Sequence, residues 1–396
     1  MGFDAFVDER WIIQIPKSIQ TKNVIFKEIT MTQKMILYVG TYTRPTDFLQ
    51  EPHGEGIYIF EFDPDIGNLT QIGEMQGIDN PSFLSIDHDN KYLYANSEVY
   101  QWHEGLITAF AINQDTGELS YLNKQSTLGN TSAYNMVEHT NQYVLVANYG
   151  DRHGLAMFPI NADGSLSPAS DSHEFTDIPD GTVQHRQDRS HVHCVMVDPT
   201  NTFAIANDLG LDKMWIYKLD LLSGKLIAHT PSSIKVAAGG GPRHLVFHPN
   251  GQYIYVTLEL SASVLCLKFD SELGKLVPIQ TISALPTDFD GHSHCSDLHV
   301  TSSGKYLYVG NRGHDSLTIY SINEETGHLT YIENQPSKGK TPRNFVIDPT
   351  GNFVLVANQD SDNIVIFKID HDTGRLMETD FAVDCPTPVC LKFIHL

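Results

Sequence analysis

The sequence predicts an all-β protein, a seven-bladed β-propeller with four antiparallel strands per blade, and three observations carry that prediction. A turn of the form Asp/Asn-x-x-x-Gly-x-Leu, or a close variant, recurs seven times, with its glycine at Gly67, Gly117, Gly164, Gly224, Gly274, Gly327 and Gly374. The intervals are 50, 47, 60, 50, 53 and 47 residues. Between these turns lies a second signature: a short apolar strand, a polar turn and an aromatic-rich strand. It reads FLSIDHDNKYLYAN (83–96), CVMVDPTNTFAIAN (194–207), HLVFHPNGQYIYVT (244–257) and NFVIDPTGNFVLVAN (344–358). The third observation concerns the ends. VCLKFI at 389–394 has the pattern of a first strand with no second strand after it. MILYVGTYT at 35–43 looks like a second strand with no first strand before it.

Within each unit the FLSID type is the first strand and the YLYAN type the second. The third resembles LTIYSI at 317–322, and the fourth follows the Gly-x-Leu turn. Period-two alternation and Pro/Asn/Gly turns favour antiparallel pairing. Four-strand units repeating at this period give a propeller, where each blade has neighbours on both faces. A stacked solenoid would need atypical capping repeats, and the sequence offers none. The two orphan strands complement each other, so the C-terminal strand is expected to pair with the strand at 36–42. That pairing closes the ring and removes two open sheet edges. Residues 35–396 then form one domain. Residues 1–34, charged and without apolar pattern, are expected to be a dispensable extension.

With 26 basic and 48 acidic residues the formal charge is −22, which argues against nucleic acid or an anionic membrane as partner. No apolar run reaches the length of a membrane span. Five cysteines, an odd number without metal-ligand spacing, suggest a reduced, cytoplasmic chain without a disulfide framework. Oligomeric state is not legible.

Chain direction reverses between first and second strands, so the start of one and the end of the other share a face. The first-strand starts are Ser82, Ala133, His193, Arg243, Ser296, Arg343 and Val389. The second-strand ends are Ser97, Tyr149, Asp208, Glu259, Arg312, Gln359 and Tyr42. Scaffold positions repeat from blade to blade, as the Asn at 96, 148, 207, 311 and 358 does; these sets diverge and concentrate His, Arg, Glu and Asp at one mouth. Arg243, Arg312 and Arg343 suit an anion because a guanidinium donates bidentate hydrogen bonds; each is equally a possible interblade ion-pair residue. His191 and His193 project to one face, and His294 belongs to the similar segment His292-Ser-His-Cys-Ser-Asp297. No third ligand completes either pair, so no metal is expected. There is no Gly-x-Ser-x-Gly elbow. The long inserts at 171–190 and 284–293 precede first strands and are expected to overhang the mouth.

The segments RQDRSHVHC (186–194), NDLGLDKMWIY (207–217), GGGPRHLVFHPNGQYIYVTLEL (239–260), DGHSHCSDLHV (290–300), YLYVGNRGHDSLTIY (306–320) and GKTPRNFVIDPTGNFVLVANQDSDNI (339–364) resemble the lactonase-type seven-bladed β-propellers, of which 6-phosphogluconolactonase is the named activity. The resemblance runs from Met35 to the C-terminus. It implies hydrolysis of a small anionic sugar lactone, 6-phosphogluconolactone, in the pentose phosphate pathway, without metal or other cofactor. Related fungal cycloisomerases of carboxymuconate use a His, Arg, Glu and Arg that fall on His193, Arg243, Glu259 and Arg312, which are the expected catalytic residues. Arg343, His191, Asp208, Tyr149, Gln359, His294 and Ser296 are the expected substrate contacts. The family usually has Asn before that glutamate; this chain has Leu258. A lactonising cycloisomerase and a non-catalytic propeller scaffold are the alternatives.

Overall fold

In a computed structural model of the chain, residues 34–180 and 182–396 are described. The leader expected at 1–34 lies outside them except for Lys34. Twenty-eight strands form seven four-stranded sheets, and the one helical turn among the described residues is a 3₁₀ turn at Gln359–Ser361. Six sheets run in chain order, over 84–126, 132–174, 192–235, 242–283, 294–336 and 342–384. The seventh combines both chain ends in the order Pro388–His395, Met35–Thr41, Gly56–Asp63, Asn68–Gln76. Met35 faces His395 and Gly40 faces Cys390 in an antiparallel ladder, as the orphan strands required. The first strands touch one another in cyclic order around the centre, which is the closed ring.

Burial follows strand position. Second strands such as Tyr253–Leu258 and Phe353–Asn358 are buried along their whole length, whereas fourth strands such as Asn68–Gln76 are mostly exposed. Hence the core lies between blades, from apolar side chains on both sheet faces, each contributing about 1.5–3 kcal/mol when fully buried.

The repeat glycines have a physical cause. All seven have φ between +59° and +81°, a region L-residues avoid. Five of them, Gly67, Gly164, Gly274, Gly327 and Gly374, also leave no room for a side chain. A Cβ on Gly164 would lie 2.1 Å from the Tyr92 ring of the preceding blade, and one on Gly374 would lie 2.3 Å from Tyr306. The tyrosine two residues on secures the same contact: Tyr94 Oη donates to Gly164 O at 3.1 Å and Tyr308 Oη to Gly374 O at 2.9 Å. Tyr38 and Tyr255 do the same to Gly117 and Gly327. One turn therefore docks each blade on its neighbour.

The hairpin turns on the opposite face are structural. Asp198 accepts the amides of Thr200, Thr202 and Phe203, and Asp348 those of Thr350, Asn352 and Phe353. All five cysteines are buried and unbonded. No described helix is long and apolar enough to cross a membrane.

Candidate active site

At one face of the ring, six amides mark one equivalent position per blade. Tyr42, Glu98, Tyr149, Leu209, Glu259 and Gln359 donate to the carbonyls of Thr387, Asn80, Thr131, His191, Gly241 and Thr341. Each acceptor lies two residues before the innermost residue of its first strand. Arg312, opposite His294, holds the position in the remaining blade. The sequence alignment was therefore right for Tyr42, Tyr149, Glu259, Arg312 and Gln359. It slipped by one in two blades, where Glu98 and Leu209 replace Ser97 and Asp208. The slip has a simple cause. Asn207 pairs with Cys194, after the innermost residue, whereas Asn358 pairs with Pro342, before it. Alike in sequence, these asparagines occupy different rungs.

The ring opens into a cavity of about 940 Å³ whose lining includes Glu98, Tyr149, Arg186, His191, His193, Glu259, His294, Arg312, Arg343 and Gln359. Its centre is Glu259, 1% exposed. Arg186 Nη2 lies 2.5 Å from Oε1, while Arg243 Nε and Arg312 Nη2 each lie 2.9 Å from Oε2. The Arg243 contact is ionic only, since its Nε–H has no aligned acceptor. Burial pushes the Glu259 carboxyl up, but Arg312, Arg186 and Arg243 together outweigh it and hold the group well below the usual range. Leu258 is buried opposite Pro242, so the missing asparagine takes nothing from this carboxylate, which arginines satisfy. Burial lowers Arg243 to about 10, helped by Arg312. Arg243, 2% exposed, lies beneath the cavity floor rather than on its wall.

Arg343 belongs to a separate group. Its Nη2 donates to Tyr42 Oη at 2.7 Å, and Tyr42 Oη donates to Glu98 Oε2 at 2.9 Å. The guanidinium also covers the Tyr42 and Phe48 rings at 5.3 and 5.0 Å. His193 sits between the two groups. Burial and, next, Arg243 push its imidazole well below the ordinary value, so it is neutral, and its Nδ1 is buried without a partner.

His191 stacks on Tyr149 at 4.5 Å and is fixed by Tyr149 O and Asp188 Oδ1 at 2.7 and 2.9 Å. Tyr149 Oη accepts from Arg186 Nη2 at 3.2 Å. His294 Nδ1 meets Glu259 O at 3.3 Å, and its Nε2 lies 2.9 Å from His292 Nε2. Gln359 lines the wall and donates to Asp360 at 2.7 Å. Two expected contacts lie off the cavity. Asp208 is buried and engaged by Ser190 Oγ, the His191 and Leu211 amides and Trp215 Nε1. Ser296 is buried between blades, its hydroxyl donating to Pro342 O and its carbonyl accepting from Arg243 Nη1. The insert at 171–190 overhangs the mouth through Gln184, His185, Arg186, Asp188 and Arg189, whereas no residue of 284–293 lines it.

Arg186 and Glu98 were not singled out in the sequence. Arg186 lies outside the repeat, so no blade-to-blade comparison reaches it; its only signal is composition, as five of the chain's nine arginines converge here. The description "Lactonase, 7-bladed beta-propeller" matches residues 36–393. The chain belongs to this lactonase family. It is 38% identical over 365 residues to the 6-phosphogluconolactonase of Bacillus subtilis, covering 91% of this chain and 99% of that one. A solved structure from Bacteroides fragilis is 33% identical with a TM-score of 0.84, over 92% and 99% of the chains. The periplasmic gluconolactonase of Pseudomonas aeruginosa is 32% identical with a TM-score of 0.83, over 91% and 99%. The lactonase propeller thus provides the scaffold, and Arg186 and Arg312 beside Glu259 line its mouth.

Proposed function

We propose that this lactonase hydrolyses 6-phosphogluconolactone to 6-phosphogluconate, the lactone-opening step of the pentose phosphate pathway. The observation that carries the reading is the cluster of arginines around a buried carboxylate beside a neutral imidazole, at the mouth overhung by residues 184–189. Ester hydrolysis needs a base for water and donors for the oxyanion. His193, neutral and on the wall, takes a proton from water as its oxygen attacks the lactone carbonyl carbon. The carbonyl electron pair moves onto oxygen, which accepts from Arg312 and Arg186. Each guanidinium has five N–H donors, so contact with Glu259 leaves others available. Collapse of the intermediate breaks the bond to the ring oxygen, and the His193 imidazolium returns the proton to it. Glu259, pinned by three cations, is a poor base and serves to hold the arginines in place. Arg243 anchors it from below.

Of the lining arginines not bound to Glu259, Arg343 is the buried one and is assigned the phosphate. A specific observation favours a second reading, the unphosphorylated gluconolactone. Four arginines and five carboxylates (Asp47, Glu98, Asp188, Glu259 and Asp360) line the cavity, so the wall carries no excess positive charge for a dianion. The two readings separate on the ratio of kcat/KM for the two lactones. One charge-assisted hydrogen bond contributes about 1.5–3 kcal/mol, so phosphate recognition predicts a preference of roughly ten-fold or more, reduced by Arg343→Ala. A ratio near one would assign the enzyme to the unphosphorylated lactone.

A further inference from the structure

Beneath His193 the cavity floor covers a second, smaller chamber of about 10 Å³, lined by Glu98, His193, Arg243, His244, Arg343 and Asn344 among others. That is about the space one water molecule needs. His193 Nδ1 and His244 Nε2 are both buried without a partner, and the two rings lie 5.2 Å apart. Burying such nitrogens unpaired is costly. Two of them beside a water-sized space share one economical solution.

The other side of His244 is fully specified. Its Nδ1 lies 2.8 Å from Asp297 Oδ1. Asp297 also accepts from the Leu298 amide and His299 Nε2, both at 3.0 Å, and from Asn344 Nδ2. Although burial pushes the Asp297 carboxyl up, His299 and His244 outweigh it and hold it well below the usual range. Burial, then Arg243, lowers His244 to about 4. The pair is therefore a carboxylate and a neutral imidazole, with the proton on Nδ1 and the lone pair on Nε2.

We propose that the chamber holds one water bridging His193 Nδ1 and His244 Nε2, and that Asp297 and His244 thereby act as positioning residues for His193 in lactone hydrolysis. This rests on the reading of His193 as the base. When His193 takes the proton of the attacking water, its Nδ1–H donates to the bridging water, which donates to His244 Nε2. No proton leaves the relay, and the His244 Nδ1–H stays directed at Asp297. The groups facing His193 are Arg243, Arg343, His244, Tyr149, Glu98 and Glu259; Glu98 is engaged by Tyr42, Tyr100 and Arg343, and Glu259 by three arginines. Those facing His244 are Asp297, Arg243, Lys392, Tyr134 and His193. Asp297 supplies a further negative charge for the imidazolium, as the buried carboxylate of a Ser-His-Asp triad does for its histidine.

The test compares Asp297→Asn, His244→Gln and His193→Gln in the intact chain, on 6-phosphogluconolactone above the uncatalysed rate. Asp297→Asn and His244→Gln should lower kcat roughly 10- to 100-fold, less than loss of the base at roughly 10²–10⁴-fold, with KM within about two-fold. The acid limb of kcat should move to lower pH, because His193 loses the charge that favours its protonation; a merely structural role would not move it. Full activity and an unmoved limb in both, with His193→Gln inactive, would overturn the relay and leave the base standing. An active His193→Gln would overturn the base assignment itself. A crystal structure of the unaltered protein decides the matter even if the variants fail to fold: a water within about 3.2 Å of both nitrogens is expected, and a chamber without one refutes the proposal.

Discussion

Glu259 shows how a single residue can be legible by position and illegible by role. Its place on the ring follows from counting along a second strand, but its three partners come from three other parts of the chain. Arg243 is on the same blade, Arg312 on the next, and Arg186 on the insert before the blade at 192–235. Read alone, a glutamate at a mouth suggests a base; read with its partners, it is a counter-ion. Replacing it with Gln leaves buried guanidinium groups uncompensated, a loss of about 3–5 kcal/mol. Its folded carboxyl is held below the unfolded value, so the stability it adds is fully present above about pH 4.3 and is lost as pH falls further. In urea unfolding, the gap between the native chain and Glu259→Gln should be constant from pH 7 to about 4.5. Below that it should close by about 1.4 kcal/mol per pH unit. A gap that persists unchanged down to pH 3 would place the carboxyl's ionisation outside the fold's energetics.

At the scale of the strand and turn, most of the architecture could be read from sequence because steric demands repeat. Gly164 and Gly374 are required twice over, by positive φ and by the aromatic ring beneath them, so the same motif had to recur. The strand pair at the chain ends was legible for a similar reason, since an unpaired edge is a liability. What failed was alignment by side-chain identity. Asn207 and Asn358 look equivalent but sit on different rungs, and that misplaced Asp208 at the mouth. Its true work is to tie down the segment entering the blade at 192–235. Inserts were harder still, because 171–190 supplies Arg186 while 284–293 supplies no lining residue, and nothing in their composition distinguishes the two. The interblade tyrosines give a direct check. Tyr255→Phe and Tyr308→Phe each remove a buried hydrogen bond to a repeat glycine and should cost about 1 kcal/mol. Because the two tyrosines sit in successive blades, the double variant should cost close to the sum. Neutral substitutions would mean that packing alone docks the blades.

Across the whole molecule, the seven blades divide labour between faces. The hairpin turns on one face are satisfied by their own side chains, carboxylates such as Asp198 and Asp348 in some blades and His248 and Thr301 in others. The opposite face carries the divergent residues, and ring closure through Pro388–His395 holds Tyr42 in its place beside Glu98 and Arg343. The site is therefore assembled only when the ring is complete. The most direct measurement is the rate of 6-phosphogluconolactone hydrolysis against the uncatalysed reaction, for the native chain and for folded His193→Ala and Arg312→Ala. Catalysis well above background is expected, falling roughly 10²-fold or more in each variant. A native rate equal to background would contradict 6-phosphogluconolactone as the substrate, and both variants at the native rate would contradict a catalytic site at this mouth.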